Sequence, residues 1–280
     1  MSNCNGNCSA CGSKGSCSEP KEDSAKLALS KIAHVFVVLS GKGGVGKSTV
    51  AANLATGMAL RGKRVGLLDV DVHGPSIPKL FGLQGLREEG DGEKLLPVEA
   101  FGVKVMSTAL ILEKEDEPIV WRGPLKHGVI RQFLGEVAWG ELDALVVDCP
   151  PGTGDEPLSV CQLIPDAEGA VIVTTPQQVA TLDVGKSIAF CNQLGMRIAG
   201  LVENMSGFQC PHCGEWTPIF KSGGGEALAK RYGLPFLGKI PIVPEAVEEG
   251  DAGRPLVAAQ PESPAAKAFM SIVDQLLSIG

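Results

Sequence analysis

Basic runs are missing from this sequence and its balance is acidic, with a formal net charge of −7 at pH 7 and an isoelectric point near 5.2. That argues against a general nucleic-acid binder, which carries a basic balance or a strong local patch. Long apolar runs are missing as well: the longest are strand-length, far short of the roughly 20 residues that cross a bilayer. No secretory leader is recognisable at the start. The segment from Ser263 places Phe269, Ile272, Val273 and Leu276 at helical spacing, but Lys267 is its only basic residue. Helices that lie on anionic lipid are rich in Lys and Arg, so this one is expected to pack on the protein. No nucleic acid, no membrane and a cytoplasmic location are the expectations. Histidine is scarce too, and His34, His73 and His127 have no ligand spacing, so they read as structural. The folded part of the chain also lacks a second Cys pair to join Cys210 and Cys213, and two thiolates do not complete a four-coordinate centre. A second subunit could supply the others.

What is present begins with enough chain for a substantial core, 280 residues of which 44% are hydrophobic. The stretch VFVVLSGKGGVGKST, Val35 to Thr49, organises the rest. Val35 to Leu39 reads as a buried strand, the glycines as a tight loop, and Val50, Leu54 and Met58 as one face of the helix that follows. Gly41, Gly46, Lys47 and Ser48 fit G-x-x-x-x-G-K-[ST]. In that pattern the backbone N–H groups of the loop, here Gly41 through Gly43, Gly44 and Val45 to Thr49, cradle phosphates. The lysine reaches the β- and γ-phosphates and the hydroxyl binds Mg²⁺. Gly41, Gly43 and Gly46 also satisfy the dinucleotide pattern G-x-G-x-x-G, with Asp69 near the distance of a ribose-binding acid. The Lys-Ser pair favours a triphosphate with Mg²⁺, because a pyrophosphate does not need it.

Nine cysteines, an odd number, fit metal or thiol chemistry better than a disulfide framework. Residues 1–23, rich in Ser, Asn and Gly, have no apolar period and read as a flexible tail. Within it Cys4, Cys8, Cys11 and Cys17 are close enough to wrap one soft centre, an iron-sulfur cluster or zinc. The first three share the C-x3-C-x2-C spacing of radical-SAM enzymes. Such a site needs an open iron position and a barrel, whereas Cys17 could fill the position and a phosphate-loop fold follows. Cys149, Cys161 and Cys191 adjoin apolar residues and read as small buried hydrophobes.

Residues 24–280 read as one α/β unit. A short helix over Ser24 to Lys31 precedes the first strand, and a strand over Arg64 to Leu68 delivers Asp69 and Asp71 at its C-terminal end, where ligands of open α/β sheets bind. Residues 81–117 read as an insertion, with a hairpin of Lys94 to Val98 and Val103 to Ser107 at the sheet edge. Trp121-Arg122-Gly123-Pro124 opens a helix to Val137. Leu145 to Asp148 is a strand ending in an acid able to hold a Mg²⁺ shell, and Pro150 to Gly154 is a loop able to sense a γ-phosphate. Further units follow at Gly169 to Thr174 with Val179 to Leu194, at Ile198 to Val202, and at Ser222 to Tyr232 with Phe236 to Ile240. Strands alternating with helices imply a doubly wound, mostly parallel sheet.

KGGVGKST, DVDVHGPS, VVDCPPGTGD, VENMS and CPHCG, in this order and with WRGP at Trp121 to Pro124, resemble the Mrp-type iron-sulfur cluster carriers. These belong to the deviant P-loop ATPases, together with MinD, ParA and the nitrogenase iron protein, and the resemblance runs from about Ile32 to Gly280. It implies a homodimeric ATPase in which Lys42 reaches the other subunit's phosphates, Asp69 and Asp71 form a switch with Asp71 orienting water, Asn204 reads adenine, and Pro241 to Pro244 border it. It further implies an ATP-dependent carrier that assembles a [4Fe-4S] cluster on Cys210 and Cys213 across the dimer and passes it to apo iron-sulfur proteins. Hydrolysis would be slow and coupled to cluster loading or transfer. The tail resembles that of cytosolic eukaryotic and some microbial members, although Cys4 lies nearer to Cys8 than theirs. Two rivals share the nucleotide motifs. A MinD- or ParA-like positioning switch leaves the cysteines unexplained, and a zinc-stabilised ATPase differs only in metal.

Overall fold

The first strand, β1 (Ile32–Ser40), is buried from Val35 onward and runs parallel to a neighbour on each side, β5 (Leu142–Asp148) and β6 (Gly169–Thr174). The computed structural model describes residues 24–87, 94–111, 123–210 and 212–279. Cys4, Cys8, Cys11, Cys17, Trp121, Arg122 and Pro211, all singled out from the sequence, lie outside them. Beyond β5 come β2 (Val65–Asp69), β4 (Val103–Ser107) and β3 (Val98–Ala100); beyond β6 come β7 (Ile198–Glu203) and β10 (Phe236–Lys239). The order is β10-β7-β6-β1-β5-β2-β4-β3, and β3 alone is antiparallel to its neighbour. The doubly wound, mostly parallel sheet expected from the sequence is therefore present.

Parallel strands have both faces covered by crossover helices, which is why these segments are continuous Val, Ile and Leu runs rather than alternating ones. Phe36 and Val38 enter a core shared with α2 (Lys47–Leu60) and α10 (Pro264–Leu277). Val35, Val37 and Leu39 enter the opposite core, shared with α4 (Gly123–Glu136), α5 (Asp155–Leu163) and α6 (Gln178–Gln193). From β1 the chain passes by α2 to β2 on one side, and after β5 it crosses to β6 on the other. That reversal opens a crevice at the strand C-termini.

Two expectations need correction. The helix after the phosphate loop has no single apolar face: every residue from Val50 to Met58 is buried, because α10 and the short α9 (Leu256–Ala259) cover its outer side. Asn53 Oδ1 accepts the Val257 N–H at 3.0 Å there. The hairpin expected at Lys94 to Val98 begins only at Val98, with Leu95 making an isolated bridge to Val137. Phe101 and Gly102, with φ of 51° and 74°, form its two-residue turn. Its second strand, β4, pairs in parallel with β2 from Val65↔Val103 to Asp69↔Ser107, so the hairpin forms the edge of the main sheet, where it was expected.

The last helix packs as expected. Ser263 Oγ caps it by accepting the Ala266 N–H at 3.2 Å, and Phe269, Ile272, Val273 and Leu276 are buried. No helix among the described residues is long and apolar enough to cross a membrane. The remaining elements are α1 (Ser24–Leu29), α3 (Ile77–Leu80), α7 (Gly224–Tyr232), α8 (Glu245–Asp251) and a small separate hairpin of β8 (Phe208–Gln209) and β9 (Trp216–Thr217).

Candidate functional site

The loop leaving β1 closes on the N-terminus of α2. Gly46, at φ 78°, is the N-cap and has no side chain to offer, so the first N–H groups of the helix face the crevice, an arrangement that receives anions. A Cβ on Gly46 would collide with Asn204 Nδ2. Lys42, Gly43, Gly44, Val45, Gly46, Lys47, Ser48 and Thr49 line a cleft of about 460 Å³ with Asp71, Ser76 and Pro151; Ala246, Val247 and Gly250 of α8 form another wall. Ser40 Oγ donates to the Lys42 carbonyl at 3.1 Å, which holds the backbone. The Lys42 side chain has no ion-pair or hydrogen-bond partner among the described residues.

Lys47 Nζ donates to Asp148 Oδ1 at 2.6 Å and to Ser48 Oγ at 3.1 Å. The β2–β5 register sets Asp69 beside Asp148, both fully buried. Burial first, and then the Asp148 charge, pushes the Asp69 carboxyl up to about 8. Burial also pushes Asp148 up, against the pull of Lys47, and burial alone would lower Lys47; the Asp148 carboxylate outweighs this and holds the lysine above its ordinary value. Two buried acids share one cation, so the proton belongs on Asp69 and the Lys47–Asp148 pair stays ionised. Asp148 Oδ2 is buried without a partner, and the Ser48 hydroxyl stands beside that carboxylate, sharing the Lys47 ammonium with it. Such hard oxygens suit a small divalent cation.

Of the two switch acids, only Asp71 reaches the cleft. Asp69 Oδ1 accepts from Asp71 N at 3.0 Å, while its Oδ2 accepts from Ile77 N at 3.2 Å and Ser107 Oγ at 3.3 Å. Asp69 thus shapes the loop that carries Asp71. Asp71 Oδ1 accepts the Gly74 N–H at 3.1 Å. Asn204 donates to the Val45 carbonyl at 2.8 Å, beneath the phosphate loop, and Pro241 stands outside the cleft lining. Two features escaped the sequence reading. The α8 wall is one, for which only the Pro244 start signal was available. The other is buried Glu156, which takes Lys126 Nζ at 2.6 Å with His73 Nε2 at 3.9 Å, joining α5, α4 and the loop after β2.

Cys210 and Cys213 sit away from the core, at the tip of the β8–β9 hairpin. Gly214, at φ 73°, turns the chain so that its N–H reaches the Cys210 carbonyl at 2.8 Å, and Cys210 N donates to Glu215 O at 2.9 Å. The backbone N–H groups of Cys213 and His212, and then the Cys213 thiol, hold the Cys210 thiol below its ordinary pKa. The other described cysteines are the reverse: burial pushes Cys161 to about 11, Cys191 to about 12 and Cys149 well above the usual range. As expected, they are buried apolar fillers. Among the described residues no group of three or more His, Cys, Asp or Glu could hold a metal ion, so one chain's hairpin offers a pair of thiols.

A strand, a glycine loop, Lys47 and Ser48 opening a helix, and acids ending the adjacent strands together define a P-loop nucleotide-binding protein. Within that class, residues 31–277 match the ParA family model described as the NUBPL iron-transfer P-loop NTPase, and the chain belongs to that family. It is 47% identical over 284 residues to the iron-sulfur cluster carrier protein of Methanocaldococcus jannaschii, covering 99% of this chain and 97% of the relative. It is also 47% identical to the cytosolic Fe-S cluster assembly factor NUBP2 of Bos taurus over 255 residues, 89% of this chain and 94% of that one. A solved nucleotide-binding protein of Archaeoglobus fulgidus in complex with ADP is 44% identical, with a TM-score of 0.76 over 88% of this chain and 96% of that chain. The family expected from the motifs is the one found.

Proposed function

We propose that this chain is an ATP-dependent carrier that assembles a [4Fe-4S] cluster on Cys210 and Cys213 of two subunits and delivers it to apo iron-sulfur proteins. The observation that carries this reading is the accessible thiol pair, with Cys210 stabilised as thiolate by backbone N–H groups, in the same chain as a phosphate cleft. Iron and sulfide favour thiolates, and a cubane needs four ligands. A two-fold axis near the hairpin would bring a pair to its own copy and complete the set. Cys4, Cys8, Cys11 and Cys17 would hold a second centre within one chain. The names of the archaeal and bovine relatives support the cargo, and the bovine name supports a cytosolic place of action.

In the cleft, the N–H groups of Gly43 to Thr49 and Lys47 bind the phosphates of ATP. Ser48 and Asp148 would hold Mg²⁺, which would supply neutralisation of phosphate charge. Asp71 orients the attacking water, and Lys42, unpartnered among the described residues, reaches the phosphates of the partner subunit. Hydrolysis is slow and coupled to cluster loading or release. The test is anaerobic purification with iron and sulfide analysis, repeated on the Cys210→Ala/Cys213→Ala double variant. Wild type is expected to hold iron and transfer it to an apoprotein, and the variant to lose transfer while still binding ATP. Zinc without iron in wild type, or undiminished transfer by the variant, sinks the reading.

A further inference from the structure

Residues 206–222 leave the sheet after β7, form the cysteine-bearing hairpin and return at α7, and one buried carboxylate holds both ends of this excursion. Glu203 Oε1 accepts from Ser206 Oγ at 2.5 Å, at the outgoing end, and from Gly223 N at 2.9 Å, at the returning end. Its Oε2 accepts from Gly225 N at 2.6 Å. Ser206 Oγ also lies 3.0 Å from Ser222 Oγ, which ties the two ends directly. The seat is tight: a Cβ on Gly225 would come within 3.0 Å of Glu203 Cβ and 3.1 Å of Thr174 Cγ2. Glu203 is 0% exposed and takes no part in the chemistry of the cleft. A fully buried carboxylate is retained at such a place only if its oxygens are satisfied, and here they accept three donors, two of them at the N-terminus of α7.

The residue beside it belongs to the nucleotide side. Asn204 N is fixed to Thr174 O at 2.8 Å, and Asn204 Nδ2 donates to the Val45 carbonyl of the phosphate loop at 2.8 Å. A second connection runs from the opposite wall of the cleft. The segment entering α8 bonds to the same outgoing end, with Ser206 N on Ile240 O at 2.9 Å and Ile242 N on Gly207 O at 2.8 Å. The phosphate loop and the segment that leads into α8 are therefore both hydrogen-bonded to the base of the hairpin, at Asn204, Ser206 and Gly207. A phosphate loop that shifts on filling moves Val45, and Val45 cannot move far without Asn204 and its neighbour.

We propose that Glu203 is the positioning residue that couples occupancy of the phosphate loop to the placement of Cys210 and Cys213. This rests on the reading of that pair as the cargo site, and deepens it by naming how the two sites communicate. Coupling of this kind is a difference in free energy between two arrangements of a shared element, the clamped base of the hairpin, and it must be visible from either site. Glu203→Gln keeps the volume but turns an acceptor into an amide NH₂ facing N–H donors, so it cannot accept from Ser206, Gly223 and Gly225 together.

The experiment uses the full chain, metal-free and reduced. Alkylation rates of Cys210 and Cys213 by iodoacetamide are read by peptide mass spectrometry, without nucleotide and with saturating Mg-ADP or Mg-ATP. Wild type is expected to show a change of roughly fivefold or more on nucleotide binding. Glu203→Gln is expected to bind nucleotide within about threefold of wild type while its alkylation rates no longer respond. Ser206→Ala, a gentler cut at the same clamp, should lose part of the response and covers the case in which the first variant does not fold. Wild-type rates indifferent to both nucleotides, or a full response in Glu203→Gln, overturn the proposal. Because labelling needs no iron, a nucleotide response in a protein that binds no iron would remove the carrier reading and leave the relay. Cluster transfer with indifferent labelling would do the reverse.

Discussion

Three side chains, Lys47, Asp69 and Asp148, concentrate the electrostatics of the cleft. Their cost in isolation is borne by the fold: two carboxylates at 0% exposure beside one ammonium. Asp69, raised to about 8 from an ordinary 3.8, binds its proton more tightly in the folded chain than in the unfolded one. Between those two values the native state holds the extra proton, so nucleotide-free stability falls as pH rises from about 4 to about 8. Removing the neighbouring charge with Asp148→Asn lowers the Asp69 pKa, leaving burial as the remaining cause, and flattens that fall. Urea unfolding at a series of pH values on both proteins checks it; equal slopes in the two would contradict the assignment of the proton to Asp69. The same geometry explains why only the family resemblance, and not the residue pattern, set Asp71 apart from Asp69 in the sequence. Both end a strand in a D-x-D pattern, and only the hydrogen bonds from Ile77 and Ser107 show that the first acid faces inward.

Among elements, those legible in the sequence were the ones whose burial leaves a continuous apolar run, such as β1, β5, β6 and β7. Legible too were those with an explicit start, as Ser263-Pro264 gives α10. Short helices α3, α5 and α8 were not, because their proline- and glycine-flanked segments resemble loops until tertiary contacts hold them. The crowded outer side of α2 was also invisible, since Ala and Gly residues give no period. That difference decides the sign of a substitution. Helix propensity alone predicts that Gly57→Ala stabilises α2 by about 1 kcal/mol. A Cβ there would stand 2.8 Å from Val273 Cγ2 and 3.2 Å from Met270 Sδ, both on α10. Overpacking of a close helix contact costs about 1–3 kcal/mol, so a net loss of stability is expected. Combining Gly57→Ala with Val273→Ala should cost less than the sum of the single changes, measured by urea unfolding, because the methyl group that is struck has been removed. Simple additivity would show that the contact relaxes without strain.

At the scale of the whole molecule the question is whether a single chain holds a complete catalytic set. It supplies the phosphate loop, Lys47, Ser48, Asp71 and Asp148, while Lys42 lines the cleft without a partner among the described residues. If Lys42 serves the partner's nucleotide, each site of a dimer is built from Asp71 of one chain and Lys42 of the other. Lys42→Ala alone should then keep most ATP affinity and lose roughly 10³-fold or more in hydrolysis, the worth of a cation supplied in trans to phosphoryl transfer. Asp71→Asn should also bind Mg-ATP and turn over poorly. Mixing the two inactive variants distinguishes trans from cis action. In a mixed dimer, the site whose chain retains Asp71 receives Lys42 from its companion and is intact, whereas the other site lacks both. Random pairing at equal concentrations makes about half of the dimers mixed, with one working site of two, so about a quarter of wild-type activity should return. If Lys42 acted on its own chain's nucleotide, every site in the mixture would lack one group or the other. Steady-state phosphate release from the mixture, against each variant alone, decides it: no recovery at protein concentrations where dimers form would place Lys42 in its own subunit's cleft.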